Sequence, residues 1–198
     1  MPPRRVLHDR YFKQAKAEGY LARSAYKLIE LQEKKSLMRP GQRVLDLGCA
    51  PGAWLQAAHE IVGERGVVVG VDFKPVTHPF PPNVRTIVGD VFETEPETLL
   101  AHTSGALFDV VLSDMAPNTT GHDDHFPSVR LCERVLDLAP RVLAPTGNLA
   151  MKVFEGETYP DLLRRCQRSF AKVKGFKPKA SRDVSREMYV VCHGFTGT

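Results

Sequence analysis

Four carboxylates in this sequence stand at or directly after the ends of short apolar runs: Asp46, Asp72, Asp90 and Asp114. Carboxylates accept hydrogen bonds from hydroxyl and amino groups, and they attract cations. A single aspartate in such a position is commonly a helix cap or a turn residue. Four that share the same position relative to apolar runs instead indicate a binding site for a polar ligand.

The first of these carboxylates opens a turn that contains two glycines, Asp46 to Trp54, with the sequence DLGCAPGAW. Glycine allows backbone conformations and close approaches that a Cβ would prevent. Apolar residues after the turn recur with helical spacing, which predicts a strand, a turn and a helix in this order. Such a turn binds ligands at the carboxyl edge of an open α/β sheet. It lacks the G-x-G-x-x-G pattern and the Lys-Ser/Thr pair of a P-loop, so it does not predict a pyrophosphate ligand.

Elsewhere, segments typical of strands alternate with segments typical of helices. Helices are predicted over residues 9–17 and about 22–37, before the first strand. Strands are then predicted over residues 43–47, 66–71, 84–88, 108–112, 148–153, 171–176 and 187–193, and helices over 53–62, 95–104, 129–143 and 159–170. This alternation predicts an α/β fold, a mostly parallel, doubly wound sheet with helices on both faces. Because parallel strands end at one edge, the four aspartates are expected to lie together there.

The second and third strand-end acids indicate what this ligand is. Asp72 follows the glycine turn by about 20 residues, the spacing of an acid that binds ribose hydroxyls. Its neighbour Phe73 is suited to stack on an adenine. Asp90 is suited to accept a hydrogen bond from an exocyclic amino group, with Val91 or Phe92 packed on the ring. The predicted ligand is an adenosine without a phosphate cradle, and S-adenosylmethionine (SAM) fits better than NAD or ATP because carboxylates attract its sulfonium.

Five segments resemble, in order, the signatures of FtsJ/RrmJ-type ribose 2′-O-methyltransferases. The turn 46–54 resembles D-L-G-x-x-P-G-G-[WF], although Ala53 stands where that family usually has glycine, and SDMAPN (113–118) resembles S-D-[MG]-[AS]-P. The others are SAYKL (24–28), KVF (152–154) and SREMY (185–189). The resemblance covers about residues 11–193. It implies the class I SAM-dependent methyltransferase (Rossmann-like) fold, a mostly parallel seven-stranded sheet with its last strand antiparallel. The predicted cofactor contacts are Asp46, Gly48, Cys49, Ala50, Pro51, Gly52, Trp54, Asp72, Phe73, Asp90, Val91 and Asp114.

The same resemblance implies a catalytic quartet of Lys27, Asp114, Lys152 and Glu187. A ribose 2′-hydroxyl is a poor nucleophile, so a general base must lie within hydrogen-bond reach of it. The resemblance assigns Lys152 as proton acceptor and Asp114 as its orienting partner, while Lys27 and Glu187 position the ribose and balance charge. A lysine acts as a base only when its pKa falls toward neutrality; burial and a second ammonium favour this, and carboxylates oppose it. Independently, Lys152 interrupts an apolar segment, where a lysine is costly unless it is used.

Positive charge is concentrated in two segments, although the net charge is only +4. Residues 1–43 contain eleven Lys/Arg against four Asp/Glu, and residues 164–182 contain eight Lys/Arg and no acid. This distribution favours RNA phosphates as partners, although charge runs are also common on solvated helix faces. The predicted phosphate contacts are Arg4, Arg5, Arg10, Lys13, Lys16, Arg23, Lys34, Lys35 and the cluster from Arg164 to Arg182. Tyr11, Phe12 and Tyr26 are candidates for stacking on an unpaired base.

Composition sets the remaining expectations. A chain of 198 residues fits a single methyltransferase domain, 1–198, with 1–40 as a basic helical N-terminal extension. No apolar run approaches the ~20 residues of a membrane span, and no signal peptide is recognisable. Four scattered cysteines without a C-x-x-C pair indicate a reducing compartment and no structural metal. The loop His122-Asp123-Asp124-His125 has no helical register and no further ligand, so it is not expected to bind metal. We expect a cytoplasmic monomer without membrane or metal partners.

The predicted function is SAM-dependent 2′-O-methylation of a ribose in RNA. The expected substrate is a uridine in the A-loop of large-subunit (23S-type) ribosomal RNA, naked or in a 50S-type subunit, because the chain has no added RNA-binding domain. A tRNA anticodon-loop ribose methyltransferase is the nearest alternative. Two further alternatives are less well supported. A non-catalytic SAM-binding ribosome assembly factor would need none of the four quartet residues, and a small-molecule methyltransferase would not need the two basic segments.

Overall fold

The computed structural model describes residues 10–117, 125–181 and 185–197. Its strands are β1 (Arg43–Leu47), β2 (Val67–Asp72), β3 (Val84–Val88), β4 (Phe108–Ser113), β5 (Leu143–Phe154), β6 (Phe170–Phe176) and β7 (Glu187–Phe195). They form one sheet in the order β3-β2-β1-β4-β5-β7-β6. Strand β7 is antiparallel to both of its neighbours, and the pairs from β3 to β5 are all parallel. The predicted seven-stranded sheet with an antiparallel last strand is confirmed.

Helices cover both faces of this sheet. They are α1 (Arg10–Glu18), α2 (Ala25–Lys35), α3 (Ala53–Val62), α4 (Pro96–Leu100), α5 (His125–Val142) and α6 (Tyr159–Ser169). Leu31 of α2 and Leu55 of α3 belong to a core on one face, which we call the α2–α3 face. Leu99, Val135 and Leu162, from α4, α5 and α6, belong to the core on the other, the α5–α6 face. The predicted doubly wound arrangement is therefore confirmed.

Burial explains why β1 and β2 read as nearly continuous apolar runs. Both strands are covered on their two faces, so most of their side chains are buried. The one glycine within β2, Gly70, lies under the turn that follows β1. A Cβ at Gly70 would lie 2.7 Å from Cys49 Sγ and 2.8 Å from Leu55 Cδ2. Glycine at this position allows the turn and α3 to pack directly against the sheet.

Element boundaries differ from the sequence-based predictions mainly around β5. The strand begins at Leu143, five residues before its predicted start, because Leu143 pairs with Phe108 before a register shift at Val110. Helix α5 begins at His125 instead of residue 129. The predicted helix over 95–104 is divided into α4 and a short 3-10 helix, Ala101–Thr103. These changes leave the sheet order unaffected.

The N-terminal helices meet in a small aromatic cluster. Tyr26 of α2 is only 8% exposed, and its ring lies 5.6 Å from those of Tyr11 and Tyr20. Its hydroxyl donates a hydrogen bond to Glu18 at 2.7 Å. The prediction that Tyr26 stacks on a base is wrong, because its ring is used to pack α1 against α2. Phe12, which is 60% exposed, remains available for stacking.

Candidate active site

The first half of the predicted quartet is an ion pair between the ends of β4 and β5. Asp114 directly follows β4, and Lys152 lies in the neighbouring β5. Lys152 Nζ is 3.0 Å from Asp114 Oδ1 and donates a hydrogen bond of 2.5 Å to the Asp114 carbonyl oxygen. The lysine is 8% exposed. The carboxylate and the carbonyl therefore fix the position of this amino group at the carboxyl edge of the sheet.

The second half is an ion pair that joins α2 to β7. Lys27 Nζ donates to Glu187 Oε2 at 2.8 Å and lies 2.6 Å from Oε1. Both residues are buried, at 7% and 8% exposure. Ser181 Oγ donates a further hydrogen bond to Glu187 Oε1 at 2.8 Å. A buried pair of this kind needs such additional partners, because desolvation opposes it.

The register between β5 and β7 brings the two pairs together. Lys152 is directly opposite Tyr189, so Glu187 is its diagonal neighbour on the same face, about 7–8 Å away. Tyr189 is fully buried, and its hydroxyl donates to Asp114 Oδ1 at 2.6 Å. Burial first, and then the charges of Asp114 and Glu187, raise the pKa of Tyr189 well above its usual value. Tyr189 therefore remains a neutral donor that holds Asp114 toward Lys152.

Helix α3 connects the glycine turn to the helix that carries Lys27. Trp54 Nε1 donates to the carbonyl of Ser24 at 2.9 Å, at the start of α2, and the indole stacks on Tyr189 with ring centroids 5.8 Å apart. Gln56 binds the segment before α2, accepting from the Leu21 amide and donating to the Gly19 carbonyl. The position of Lys27 thus depends on the same helix that begins at the glycine turn.

A cavity of about 870 Å³ opens beside the quartet at the carboxyl ends of β1, β2 and β4. Its lining includes seven of the predicted cofactor contacts: Gly48, Ala50, Asp72, Phe73, Asp90, Val91 and Asp114. Phe92 and Met115 also line it. The volume lies within the range of small-molecule sites in proteins. Three of the four strand-end aspartates, Asp72, Asp90 and Asp114, therefore meet at one cavity, as expected from the parallel sheet, whereas Asp46 is not part of its lining.

Asp72 has a fixed orientation at the wall of this cavity. Its Oδ2 accepts a hydrogen bond from the Ala50 amide at 2.9 Å, and its Oδ1 accepts one from the Lys74 amide at 2.8 Å. Each oxygen has a second lone pair for a ligand hydroxyl. Asp90 is held in a similar way, with Oδ1 accepting from the Phe92 amide at 2.8 Å.

Asp46 is the most unusual carboxylate of the site. It is fully buried within β1, and neither of its oxygens has a hydrogen-bond partner among the described residues. Burial, followed by the charges of Asp114 and Asp72, raises its pKa well above the usual value. Unpartnered buried carboxylates are costly, so this one indicates a site that favours a cationic or hydrogen-bond-donating ligand.

The remaining predicted cofactor contacts lie away from the cavity lining: Cys49, Pro51, Gly52, Trp54 and the buried Asp46. Gly48 and Gly52 do have positive φ, 82° and 112°, as a tight turn requires. However, a Cβ at Gly48 would meet Met115 Cγ at 2.4 Å, and one at Gly52 would meet Leu21 and Phe80 at 3.1 Å. In both cases the close neighbour is a protein side chain, where the sequence had suggested a ligand.

Three of the predicted phosphate contacts, Arg4, Arg5 and Arg182, lie outside the described residues. So do Asn118 of the SDMAPN segment and the loop residues His122, Asp123 and Asp124, which were not expected to bind metal. Among the residues described, no group of three or more His, Cys, Asp or Glu is placed to hold a metal ion. In the same residues, no helix is long and apolar enough to cross a membrane.

Sequence reasoning missed the residues that hold the quartet in place. Tyr189 lies within the SREMY segment, but nothing in that pattern indicated its bond to Asp114. Ser181 is an ordinary loop residue by sequence, and no local signal marks it. Glu30 of α2 accepts from the backbone amides of Lys179 and Ala180 at 2.8 and 3.4 Å, which docks the loop that carries Ser181.

A Rossmann-like sheet with a glycine turn, a carboxylate-lined cavity and a lysine paired to a strand-end aspartate defines the class of protein as a methyltransferase. Residues 20–195 match the family model of the FtsJ-like methyltransferases, and the chain belongs to that family. It is 47% identical over 188 residues to ribosomal RNA large subunit methyltransferase E of Desulfatibacillum aliphaticivorans, covering 94% of this chain and 90% of the relative. The enzyme of the same name from Syntrophobacter fumaroxidans is 48% identical, with 94% and 95% covered.

A solved structure shows the same fold. The crystal structure of a ribosomal RNA methyltransferase from Plasmodium falciparum superposes with a TM-score of 0.79 and 30% sequence identity, covering 90% of this chain and 100% of the other. The resemblance identified from the five sequence segments is therefore confirmed, together with the fold that it implied.

Proposed function

We propose that this protein transfers a methyl group from SAM to the 2′-hydroxyl of a ribose in large-subunit ribosomal RNA. The observation that carries the proposal is the pair of buried ion pairs, Lys152–Asp114 and Lys27–Glu187, beside the carboxylate-lined cavity. The substrate class follows the relatives, two of which are named as large-subunit ribosomal RNA methyltransferases. The expected target is a uridine in the A-loop of that RNA.

Lys152 is the proposed proton acceptor. Its amino group is held by two oxygens of Asp114 on the face that also carries Glu187. With Lys152 Nζ as the neutral amine, a 2′-hydroxyl placed against it would give its proton to that nitrogen while its oxygen bonds to the methyl carbon and the carbon–sulfur bond of the methyl donor breaks. Lys27 and Glu187 are the proposed contacts that orient the ribose, since positioning contributes much of the rate of such reactions.

The residues of the cavity fit SAM. Asp72, already oriented by two backbone amides, is proposed to bind the ribose hydroxyls of the cofactor, and Asp90 its adenine amino group. Among the described residues, the carboxylates of Asp72 and Asp90 accept hydrogen bonds only from backbone amides, so they give this edge a negative potential that suits a ligand with a cationic sulfonium and an ammonium group. The raised pKa of the unpartnered Asp46 favours its neutral form, so this buried carboxyl adds a hydrogen-bonding group there and not a charge. When bound, SAM supplies the electrophilic methyl group.

The test is methyl transfer to defined RNAs. Large ribosomal subunits from cells lacking the modification, rRNA extracted from them, and unmodified tRNA are incubated with the full chain and methyl-labelled SAM. The modified nucleotide is then mapped by nuclease digestion and mass spectrometry. We expect one 2′-O-methyluridine in the A-loop of the large-subunit rRNA and none with Lys152→Met. Label on a base, or on none of the three RNAs, would refute the proposal.

The alternatives make different predictions in the same experiment. A tRNA anticodon-loop enzyme would label tRNA and leave both ribosomal substrates unlabelled. A non-catalytic assembly factor would bind SAM and label nothing, but it would not need two buried lysines paired with acids, whose burial is costly without a function.

A further inference from the structure

The structure divides the second basic segment between the two faces of the sheet. Arg164, Arg165 and Arg168 belong to α6, on the α5–α6 face. The lysines that follow them lie on or after β6, the edge strand of the sheet. Only the second group shares a face with α2 and Lys27. The predicted cluster of phosphate contacts from Arg164 to Arg182 is therefore divided, because α6 and β6 pack in different layers.

Strand register shows where the β6 lysines point. Phe176 is opposite Tyr189 and Lys174 is opposite Val191, and both of these β7 residues lie in the core of the α2–α3 face. Directly opposite residues share a face, so Lys174 points to the α2–α3 side, and so does Lys172, two residues away. Both lysines are exposed.

Helix α2 adds a third cation beside them. Lys35 Nζ lies 4.8 Å from the ring centre of Phe176. Burial, and then the charges of Lys172 and Lys35, lower the pKa of His193, which is opposite Lys172. The three side chains Lys35, Lys172 and Lys174 thus form one surface, which we call the β6 lysine strip.

The two groups of cations differ in whether acids neutralise them. On α6, Arg164 forms an ion pair with Asp161, and Arg165 is 2.5 Å from Asp137 and 4.0 Å from Glu133. Within the described part of the chain, neither Lys172 nor Lys174 has an ion-pair or hydrogen-bond partner. The α6 arginines are therefore largely compensated, whereas the charge of the strip is free to act on a partner.

We propose that the β6 lysine strip binds the phosphate backbone of the RNA segment that flanks the methylated ribose. The proposal rests on the proposed function. On β7, Glu187 precedes Val191 by four residues, so Lys174 lies about 14 Å along the sheet from the catalytic edge and Lys172 about 20 Å. Uncompensated lysines that lie about 14 and 20 Å from the catalytic edge on the same face match the path of a polyanion entering that site.

Edge-strand lysines also have a second use, since they prevent two sheets from joining edge to edge. That use requires charge of either sign, whereas phosphate binding requires positive charge. Replacing the lysines by glutamate therefore separates the two explanations, because glutamate protects an edge but repels phosphate.

The experiment compares two double charge reversals in the full chain. Lys172→Glu/Lys174→Glu changes the strip, and Arg65→Glu/Arg85→Glu is the matched control. Arg85 lies on β3 at the opposite edge of the sheet, Arg65 in the turn before β2, and both are exposed. Both variants lower the net charge equally. Affinity for a labelled large-subunit rRNA transcript is measured from 50 to 200 mM salt, and SAM affinity and thermal melting report on folding.

We expect the strip variant to bind RNA at least about tenfold more weakly at ~100 mM salt. The slope of log affinity against log salt should fall by about 1.4 to 1.8, the value of two lost phosphate contacts. The control should remain within about twofold of the wild type, and Lys172→Gln/Lys174→Gln should show the slope change even if the glutamate variant is unstable.

Wild-type affinity and slope in the strip variants would overturn the proposal, as would equal losses in the control, since that would indicate net charge alone. Failure of the proposed function is a separate result. In that case RNA binding would depend on the strip while no methyl group reached a ribose.

Discussion

The two sides of the carboxyl edge of the sheet differ in whether their charged side chains form ion pairs. On the β5–β7 side the four charges of the quartet are paired, Lys152 with Asp114 and Lys27 with Glu187. On the β1–β3 side, Asp46 has no hydrogen-bond partner within the part of the chain that the structure describes, and there Asp72 and Asp90 accept hydrogen bonds only from backbone amides. A preorganised set of paired groups suits proton transfer and positioning, whereas uncompensated carboxylates suit a cationic ligand. We therefore propose that this edge of the sheet holds a reacting region and a cofactor-binding region side by side.

The largest expected effect comes from the paired side. Lys152→Met preserves the length of the side chain but removes the amino group that Asp114 holds. Methyl transfer should fall by about 10³-fold or more, at the upper end for loss of a general base. The affinity for SAM, measured by calorimetry, should change little. A variant that retains turnover would show that the paired side is structural and not catalytic.

The next largest effect should come from the unpaired side. Asp72→Ala removes the proposed ribose contact and the acceptor of two backbone hydrogen bonds, from Ala50 and Lys74. Hydrogen bonds to charged groups contribute about 1.5–3 kcal/mol each, so SAM affinity should fall by about 100-fold. Asp72→Asn retains one acceptor oxygen, so its SAM affinity should lie between those of the wild type and Asp72→Ala. If Asp72→Ala bound SAM normally but turned over slowly, the side that carries Asp72 would act in catalysis and not in SAM binding.

A smaller effect tests how the paired side is held. Ser181→Ala removes the hydroxyl that donates to Glu187, while the ion pair to Lys27 remains. We expect kcat to fall by about tenfold with KM for SAM unchanged, from one hydrogen bond to a charged group. Ser181→Thr should restore most of kcat, because the hydroxyl is retained. If Ser181→Ala lowered the stability of the protein but left kcat unchanged, Ser181 would have only a structural role.

The smallest effect concerns stability and pH. The raised pKa of Asp46 means that the folded protein binds a proton more tightly than the unfolded chain. Stability therefore falls as pH rises from about 4 through the raised native pKa. Asp46→Asn removes this loss, so its Tm should exceed that of the wild type by several degrees near neutral pH and converge with it in acid. SAM binding should nevertheless weaken.

Asp109 provides a control of opposite sign. Its burial raises the pKa, but hydrogen bonds from the Arg43 side chain and amide outweigh burial and lower it. Its stabilisation is therefore present above the unfolded pKa of about 4 and is lost in acid. Asp109→Asn should lower Tm at neutral pH, with a difference that disappears as the pH falls. If both variants shifted Tm in the same direction, the contrast between paired and unpaired carboxylates would fail.

Much of the fold and part of the site were predictable from local patterns. The ranges 43–47, 53–62 and 84–88 were predicted as they are observed, because apolar periodicity and glycine turns act over a few residues. The meeting of Asp72, Asp90 and Asp114 at one cavity followed from the parallel sheet. The start of β5 was not predictable, since it depends on a pairing with β4 and not on its own sequence.

The sequence by itself determined the alternation of strands and helices, the strand-end carboxylates and a lysine within an apolar strand. Only the tertiary structure decided which charges are paired. Lys27 and Glu187 meet across 160 positions, Ser181 donates to Glu187 from a loop, and Asp46 has no hydrogen-bond partner in residues 10–117, 125–181 and 185–197. It also separated the α6 arginines from the β6 lysines. Local spacing specifies which face of a helix or strand a side chain occupies. Its ion-pair or hydrogen-bond partner on another element is decided only when the two elements pack together.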